Sequence, residues 1–346
     1  MGNYGKNENA RANERVIENV IGNTVGPPQK KKVPATQQDG QSSLSKVDSS
    51  WIENEIMTLM ALAYYRLRRF DESLSCSKNV LEKAIDPAQK CRAQFYHAAS
   101  LPPKETELRK TEHMKVLNDI DHAIQKGEIN DSIRLELLKV KSEALNNLGF
   151  ILLFGLKKPN DALIYFKEAA ELNEIPEIND QKGIGISHGG MGDCYKAQGE
   201  LSSAEDEYKI NLKISTENGD IQGVCRMNSM LGQICLNKAS LANEPDDELF
   251  SRASNYYEDS LKAAVSQNNG VNIAFALAGI IEVCLASKNY TSFDYVFEEL
   301  GRFIDSGLCK SIPDFARTPL KESMQTIKAI SPELEEKANG YIKDLD

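Results

Sequence analysis

From Ser49 onward, apolar residues recur at three- and four-residue spacing, in stretches of about 12 to 20 residues. That is the period of an α-helix with one buried face. No stretch alternates apolar and polar residues long enough to read as a half-buried strand. Helix breakers stand between the periodic stretches: Asp86-Pro87, Pro102-Pro103, Ile175-Pro176, Asn218-Gly219-Asp220, Asn268-Asn269-Gly270 and Ser331-Pro332. The pattern predicts an all-α chain whose helices are joined by short turns.

Residues 1–48 follow a different rule. They are rich in Asn, Gln, Gly, Ser and Lys, and Gly26-Pro27-Pro28 and Asp39-Gly40 punctuate them. Residues 8–21 have some helical character, but Val16, Ile17, Val20 and Ile21 are their only apolar patch. So little burial does not offset chain entropy, and residues 1–48 are expected to be a disordered N-terminal tail.

The helical part repeats itself. Gly149, Gly192 and Gly232 lie 43 and 40 residues apart, each preceded by an apolar residue (Leu148, Met191, Leu231). Ala204 follows Gly192 by twelve residues, and Tyr208 comes four later. After Gly149, with one inserted residue, come Ala162, Phe166 and Ala169; after Gly232, with a longer insertion, come Ala253 and Tyr257. Small residues let two helices approach closely. The expected packing sets the small residues of a helix pair face to face, with aromatics filling the groove toward the next pair. One pair cannot bury its apolar face alone, so pairs must stack.

These positions resemble the signature of tetratricopeptide (TPR) repeats, L-G-x-x-Y followed by A-x-x-x-F. The match is fullest in Met191-Gly192-Asp193-Cys194-Tyr195 with Ala204 and Tyr208. The period exceeds the usual ~34 residues. The Asn218-Gly219-Asp220 turn, and Arg226 six residues before Gly232, resemble the longer LGN/Pins-type repeats, whose relatives include kinesin light chains and bacterial peptide-sensing regulators. The resemblance spans about residues 52–300. It is strong over 145–173, 184–217 and 222–267, moderate over 51–86, and weak over 87–127, which lacks the signature, and over 271–306, where the small residues have drifted. It implies a right-handed superhelical solenoid of antiparallel helix pairs over residues 49–306, closed by capping helices over 307–346.

The resemblance also implies a binding face. In TPR arrays the first helix of each pair lines the concave side. The corresponding positions here are Asn146, Asp193, Lys196, Arg226, Ser229 and Gln233, with Phe150 and Leu153 exposed beside Asn146. The Lys/Asn and Lys/Arg set with which TPR co-chaperones hold a partner's terminal carboxylate is missing, so chaperone-tail binding is not expected. The polar residues present suit an extended peptide backbone or a partner helix. Arg226 stands where LGN-type repeats place a ligand-holding arginine. Exposed polar residues also occur without any role, and Arg226 could simply pair with Asp193.

Charge narrows the partners. The net charge is −10, and the only basic run is Lys30-Lys31-Lys32. Nucleic-acid binding relies on a basic stripe that neutralises phosphates, so neither nucleic acid nor an anionic membrane is expected as a partner. The longest uncharged apolar runs, 149–156 and 274–281, fall short of the roughly 20 residues of a membrane span. The start has no apolar signal region, and Lys6 breaks a myristoylation pattern. Seven cysteines, an odd number with no C-x-x-C, read as reduced, buried small hydrophobes of a cytoplasmic protein. Four histidines without zinc-ligand spacing predict no metal site, and no motif calls for a cofactor.

One motif points toward an enzyme. Gly185-Ile186-Ser187-His188-Gly189 matches G-x-S-x-G, the nucleophile elbow of α/β-hydrolases. The elbow needs a strand before it and a histidine later in the chain. Residues 174–182 are polar and contain Pro176, and no histidine follows His188. The glycines instead fit a smooth helix face for close contact. The expected function is therefore a non-enzymatic intracellular adaptor or scaffold that holds a peptide or helix of a partner protein. A peptide-responsive regulator is the alternative, and a serine hydrolase a remote one. The sequence leaves the oligomeric state and the partner's identity open.

Overall fold

A computed structural model describes residues 44–345, apart from 128, 243, 329 and 331. Among these residues there are fourteen α-helices and no strand. The expected disordered tail lies outside the described residues except for 44–48, which open the first helix. The chain divides into two compact units, Met1–Ile178 and Asn179–Asp346. Among the described residues, no helix is long and apolar enough to cross a membrane.

The first unit contains α1 (Leu44–Arg66), α2 (Phe70–Lys83), α3 (Pro87–Ser100), α4 (Thr106–Gln125), α5 (Asp131–Phe150) and α6 (Pro159–Asn173). Consecutive helices pack as pairs, α1 on α2, α3 on α4 and α5 on α6, and α3 lies between α1 and α5. The stretch 87–127, which lacks the repeat signature, still forms a pair. Its first helix buries Ala88, Cys91, Ala93, Ala98 and Ala99, so alanine and cysteine supply the close approach that glycine gives elsewhere.

The residue inserted after Gly149 has a visible home. Residues Ile151–Gly155 form a π-helical turn, in which Leu156 N–H donates to Ile151 O at 3.0 Å. An extra residue inside a helix is absorbed as one wide turn, and every side chain after it rotates relative to the regular register. This corrects one expectation: Leu153 is buried, and Phe154 is the exposed residue instead, at 55%.

The second unit contains α7 (Gln181–Gln198), α8 (Leu201–Glu217), α9 (Ile221–Leu241), α10 (Asp247–Ser266), α11 (Gly270–Ala286), α12 (Phe293–Asp305), α13 (Asp314–Lys328) and α14 (Pro332–Asp344). Helices α7 to α11 each pack on the next in the chain, and α13 packs on both α11 and α14. The fold is all-α, a TPR-like solenoid arrangement of helix pairs. The turns set where its helices begin. Asp180 accepts a hydrogen bond from Gly183 N–H at 3.0 Å, and Asp220 from Gly223 N–H at 3.1 Å. Asp86, Asn130, Asp246 and Asn269 cap α3, α5, α10 and α11 in the same way.

The nearest neighbours of the repeat glycines are aromatic rings, a contact the sequence did not foresee. Each receives the aromatic ring of the second helix in its pair. A methyl group built on Gly149 would lie 2.7 Å from Phe166, one on Gly192 2.5 Å from Tyr208, and one on Gly232 2.8 Å from Tyr257. Without a side chain the glycine backbone becomes a flat seat for the ring, and Phe166 and Tyr208 are completely buried. Tyr257 also presses on Gly279 of α11. The weak stretch 271–306 has therefore kept its small residue, at a longer spacing than the pattern foresaw.

Candidate functional site

The site is built on α7 and α9, the first helices of two successive pairs in the second unit. Asp193 lies one residue past the Tyr208 seat at Gly192, so its carboxylate is carried inward, and it is only 5% exposed. A buried carboxylate needs partners. Tyr208 donates its hydroxyl to Asp193 Oδ1 at 2.7 Å, and Arg226 donates from Nη2 to Oδ2 at 2.6 Å. Burial, and then the Asp193 charge, push the Tyr208 hydroxyl well above the usual tyrosine range, so it remains a donor. Arg226 itself is 47% exposed. Its guanidinium is fixed to the protein through Nη2, while nearly half of the side chain stays open to solvent.

A second bridge lies one turn further along. Lys196 donates to Gln233 Oε1 at 3.0 Å and approaches Met230 Sδ at 3.5 Å. Burial lowers the Lys196 pKa, with Asp193 opposing and Arg226 adding to the shift. Two polar bridges thus join α7 to α9: a strong ionic one, and a weaker one between an ammonium and an amide.

Four of the six residues expected on the binding face are brought together in this way: Asp193, Lys196, Arg226 and Gln233. Ser229 turns aside. Its hydroxyl lies 2.9 Å from that of Ser260, which donates to Cys225 O at 2.9 Å and ties α9 to α10. Asn146 lies on α5 of the first unit and is buried rather than exposed.

Two polar features escaped the sequence reading. Glu205 of α8 is almost fully buried and accepts from Lys209 at 2.7 Å, Lys238 at 2.6 Å and Arg252 at 2.5 Å. Burial opposes its charge, but the bonds and charges of Lys209 and Lys238 outweigh that and hold its pKa down to about 2. No sequence signal marked it, because the three cations come from positions spread over three helices. His188 Nδ1 lies 2.6 Å from Glu207 Oε2 and links α7 to α8.

The G-x-S-x-G residues sit inside α7, with no strand before them. Ser187 is buried and donates to Gly183 O at 3.0 Å. Gly185 and Gly189 face Asn211 of α8. Among the described residues no group of three or more His, Cys, Asp or Glu side chains is placed to hold a metal ion. All seven cysteines are free and buried. Burial pushes the Cys91 and Cys194 thiols up to about 12 and Cys284 to about 11, which leaves little reactive thiolate.

No protein-family model matches the sequence, and no curated protein matches it. Solved structures do resemble its fold. A Rap protein complexed with Competence and Sporulation Factor is 17% identical with a TM-score of 0.51, covering 87% of this chain and 77% of that one. Aspartyl phosphate phosphatase F from Bacillus subtilis is 14% identical with a TM-score of 0.53, covering 97% and 82%. The apo form of RapI is 13% identical with a TM-score of 0.54, covering 88% and 77%. At these identities the likeness concerns the fold alone.

Proposed function

We propose that this chain is a non-enzymatic cytoplasmic adaptor that holds a peptide or helix of a partner protein against α7 and α9, with an acidic group of the ligand on Arg226. The observation that carries this reading is the division of the Arg226 guanidinium. One side is fixed by buried Asp193, and nearly half of the side chain is open. An arginine held in this way has lost much of its rotamer freedom before any ligand arrives, so a second, charge-assisted contact costs less to order. Lys196 lies one turn past Asp193 and Gln233 about two turns past Arg226, within reach of a peptide's carbonyl and amide groups. The resemblance of Arg226 to the ligand-holding arginine of LGN-type repeats supports the same reading. The net charge of −10 weighs against nucleic acid as the partner.

A peptide-responsive regulator is the second reading. It draws on the Rap protein of similar fold, whose structure was solved with Competence and Sporulation Factor. Both readings place a peptide on the array, and they differ in whether its binding changes a further output.

An immobilised library of short peptides, with and without acidic residues and free C-terminal carboxylates, tests the proposal. The unaltered chain should retain acid-bearing peptides. Arg226→Lys keeps the charge and the contact to Asp193 but loses the forked geometry, and should weaken retention. Retention indifferent both to acidic groups and to Arg226→Lys would refute the assignment.

A further inference from the structure

α1 is the first helix of its unit among the described residues, and it packs on α2 and α3. Its inward residues Leu59, Ala61 and Ala63 are buried. Near the N-terminal end of α1, by contrast, Trp51, Ile52 and Ile56 are 47%, 50% and 47% exposed. This part of α1 is firmly held. Gln89 Nε2 donates to Trp51 O at 3.1 Å, and Arg92 grips Glu55 through two bonds of 2.9 and 2.6 Å. Three large apolar side chains left exposed between residues 51 and 56 of a fixed helix mark a contact site.

The sequence ahead of α1 contains one matching group. Val16, Ile17, Val20 and Ile21 have the spacing that places four apolar side chains on one face of a helix, while Arg11, Arg15 and Glu18 fall on the opposite face. Elsewhere in residues 1–43 apolar residues stand singly or alternate with polar ones. The 22 residues from 22 to 43 span up to about 70 Å when extended, so the tether permits this group to reach Trp51.

We propose that Val16, Ile17, Val20 and Ile21 dock on Trp51, Ile52 and Ile56 and cover them. The chain's own segment is favoured over a second copy for two reasons. A tether gives an effective concentration in the millimolar range. Three side chains also bury far less than the roughly 800 Å² per partner of a stable interface between separate chains.

Trp51 is the only tryptophan, so its fluorescence reports on this patch alone. In the full chain, Ile17→Asp with Val20→Asp should shift its emission to the red and raise acrylamide quenching about twofold, as a covered ring becomes half-exposed. Circular dichroism should show the helices of the array retained. Ile17→Leu with Val20→Leu should keep the emission of the unaltered chain. Amides of residues 16–21 should exchange with deuterium more slowly than those of 22–43. Unchanged emission in the aspartate variant, or equal exchange across residues 16–43, would overturn the proposal. Protection of Trp51 that fades on dilution, in step with a dimer seen by light scattering, would overturn it too and assign the patch to a second copy.

Discussion

Asp193 and Arg226 form a 2.6 Å ion pair between α7 and α9 whose two halves differ sharply in exposure, 5% for the carboxylate and 47% for the guanidinium. Asp193 also holds the hydroxyl of Tyr208, the ring seated on Gly192. The buried packing unit of one repeat is thereby coupled to a surface residue of the next. From sequence alone Arg226 reads as a surface residue whose removal leaves stability intact. The buried carboxylate changes that expectation.

Arg226→Ala should lower the unfolding free energy by about 1 to 3 kcal/mol, because Asp193 is left buried and charged, with the Tyr208 hydroxyl donating to it but its cationic partner gone. Asp193→Asn in the same chain removes the stranded charge and should recover part of the loss. Urea denaturation of the two single variants and the double variant measures the coupling. Additive losses would show that the pair contributes nothing of its own.

Gly192→Ala should also destabilise, by about 1 to 3 kcal/mol of overpacking, offset by ~1 kcal/mol of better helix propensity. The new methyl would lie 2.5 Å from the Tyr208 ring, which is buried and tied to Asp193. Gly185→Ala should be milder, since its nearest neighbour, Asn211, is 3.1 Å away. Thermal melts of the two variants, with unaltered protein beside them, check this order.

Glu205 predicts an acid transition. Its pKa in the folded chain is held at about 2, below the ordinary carboxylate value of 4.5. A lowered carboxylate pKa means that the unfolded chain binds the proton more readily. The stabilisation is therefore complete above pH 4.5 and is lost as pH falls toward 2. Its full size is about 3 kcal/mol from the shift. Glu205→Gln should lower the melting temperature at neutral pH and flatten its decline between pH 4.5 and 2. A decline as steep as in the unaltered chain would place the acid sensitivity elsewhere.

Ser187→Ala tests the hydrolase motif. The hydroxyl is buried and bonded to the preceding turn of α7, so its loss should cost about 1 kcal/mol or less in stability. No ester-cleaving activity is expected from the chain. A screen of aryl esters that finds an activity abolished by Ser187→Ala would reverse the non-enzymatic reading.

The sequence by itself determined the helical class and the punctuation of the chain. Its apolar spacing is local, and so are the Asp and Asn caps at breakers such as Asn218-Gly219-Asp220. The recurring glycines and aromatics also marked the repeat, because close packing leaves a residue-type signature at fixed spacing. What they touch was decided only by the tertiary structure. Gly192 has the Tyr208 ring as its nearest neighbour, because that ring reaches across the pair. One inserted residue after Gly149 became a π-turn and moved Leu153 inward, a rotation that no offset along the sequence contains. Glu205 reads like any surface carboxylate until Lys209, Lys238 and Arg252 close around it from three helices. The fate of a charge depends on what approaches it through space. The sequence therefore placed Asp193 and Arg226 on successive helices but left open whether they pair, and packing against Tyr208 is what buried one and left the other half in water.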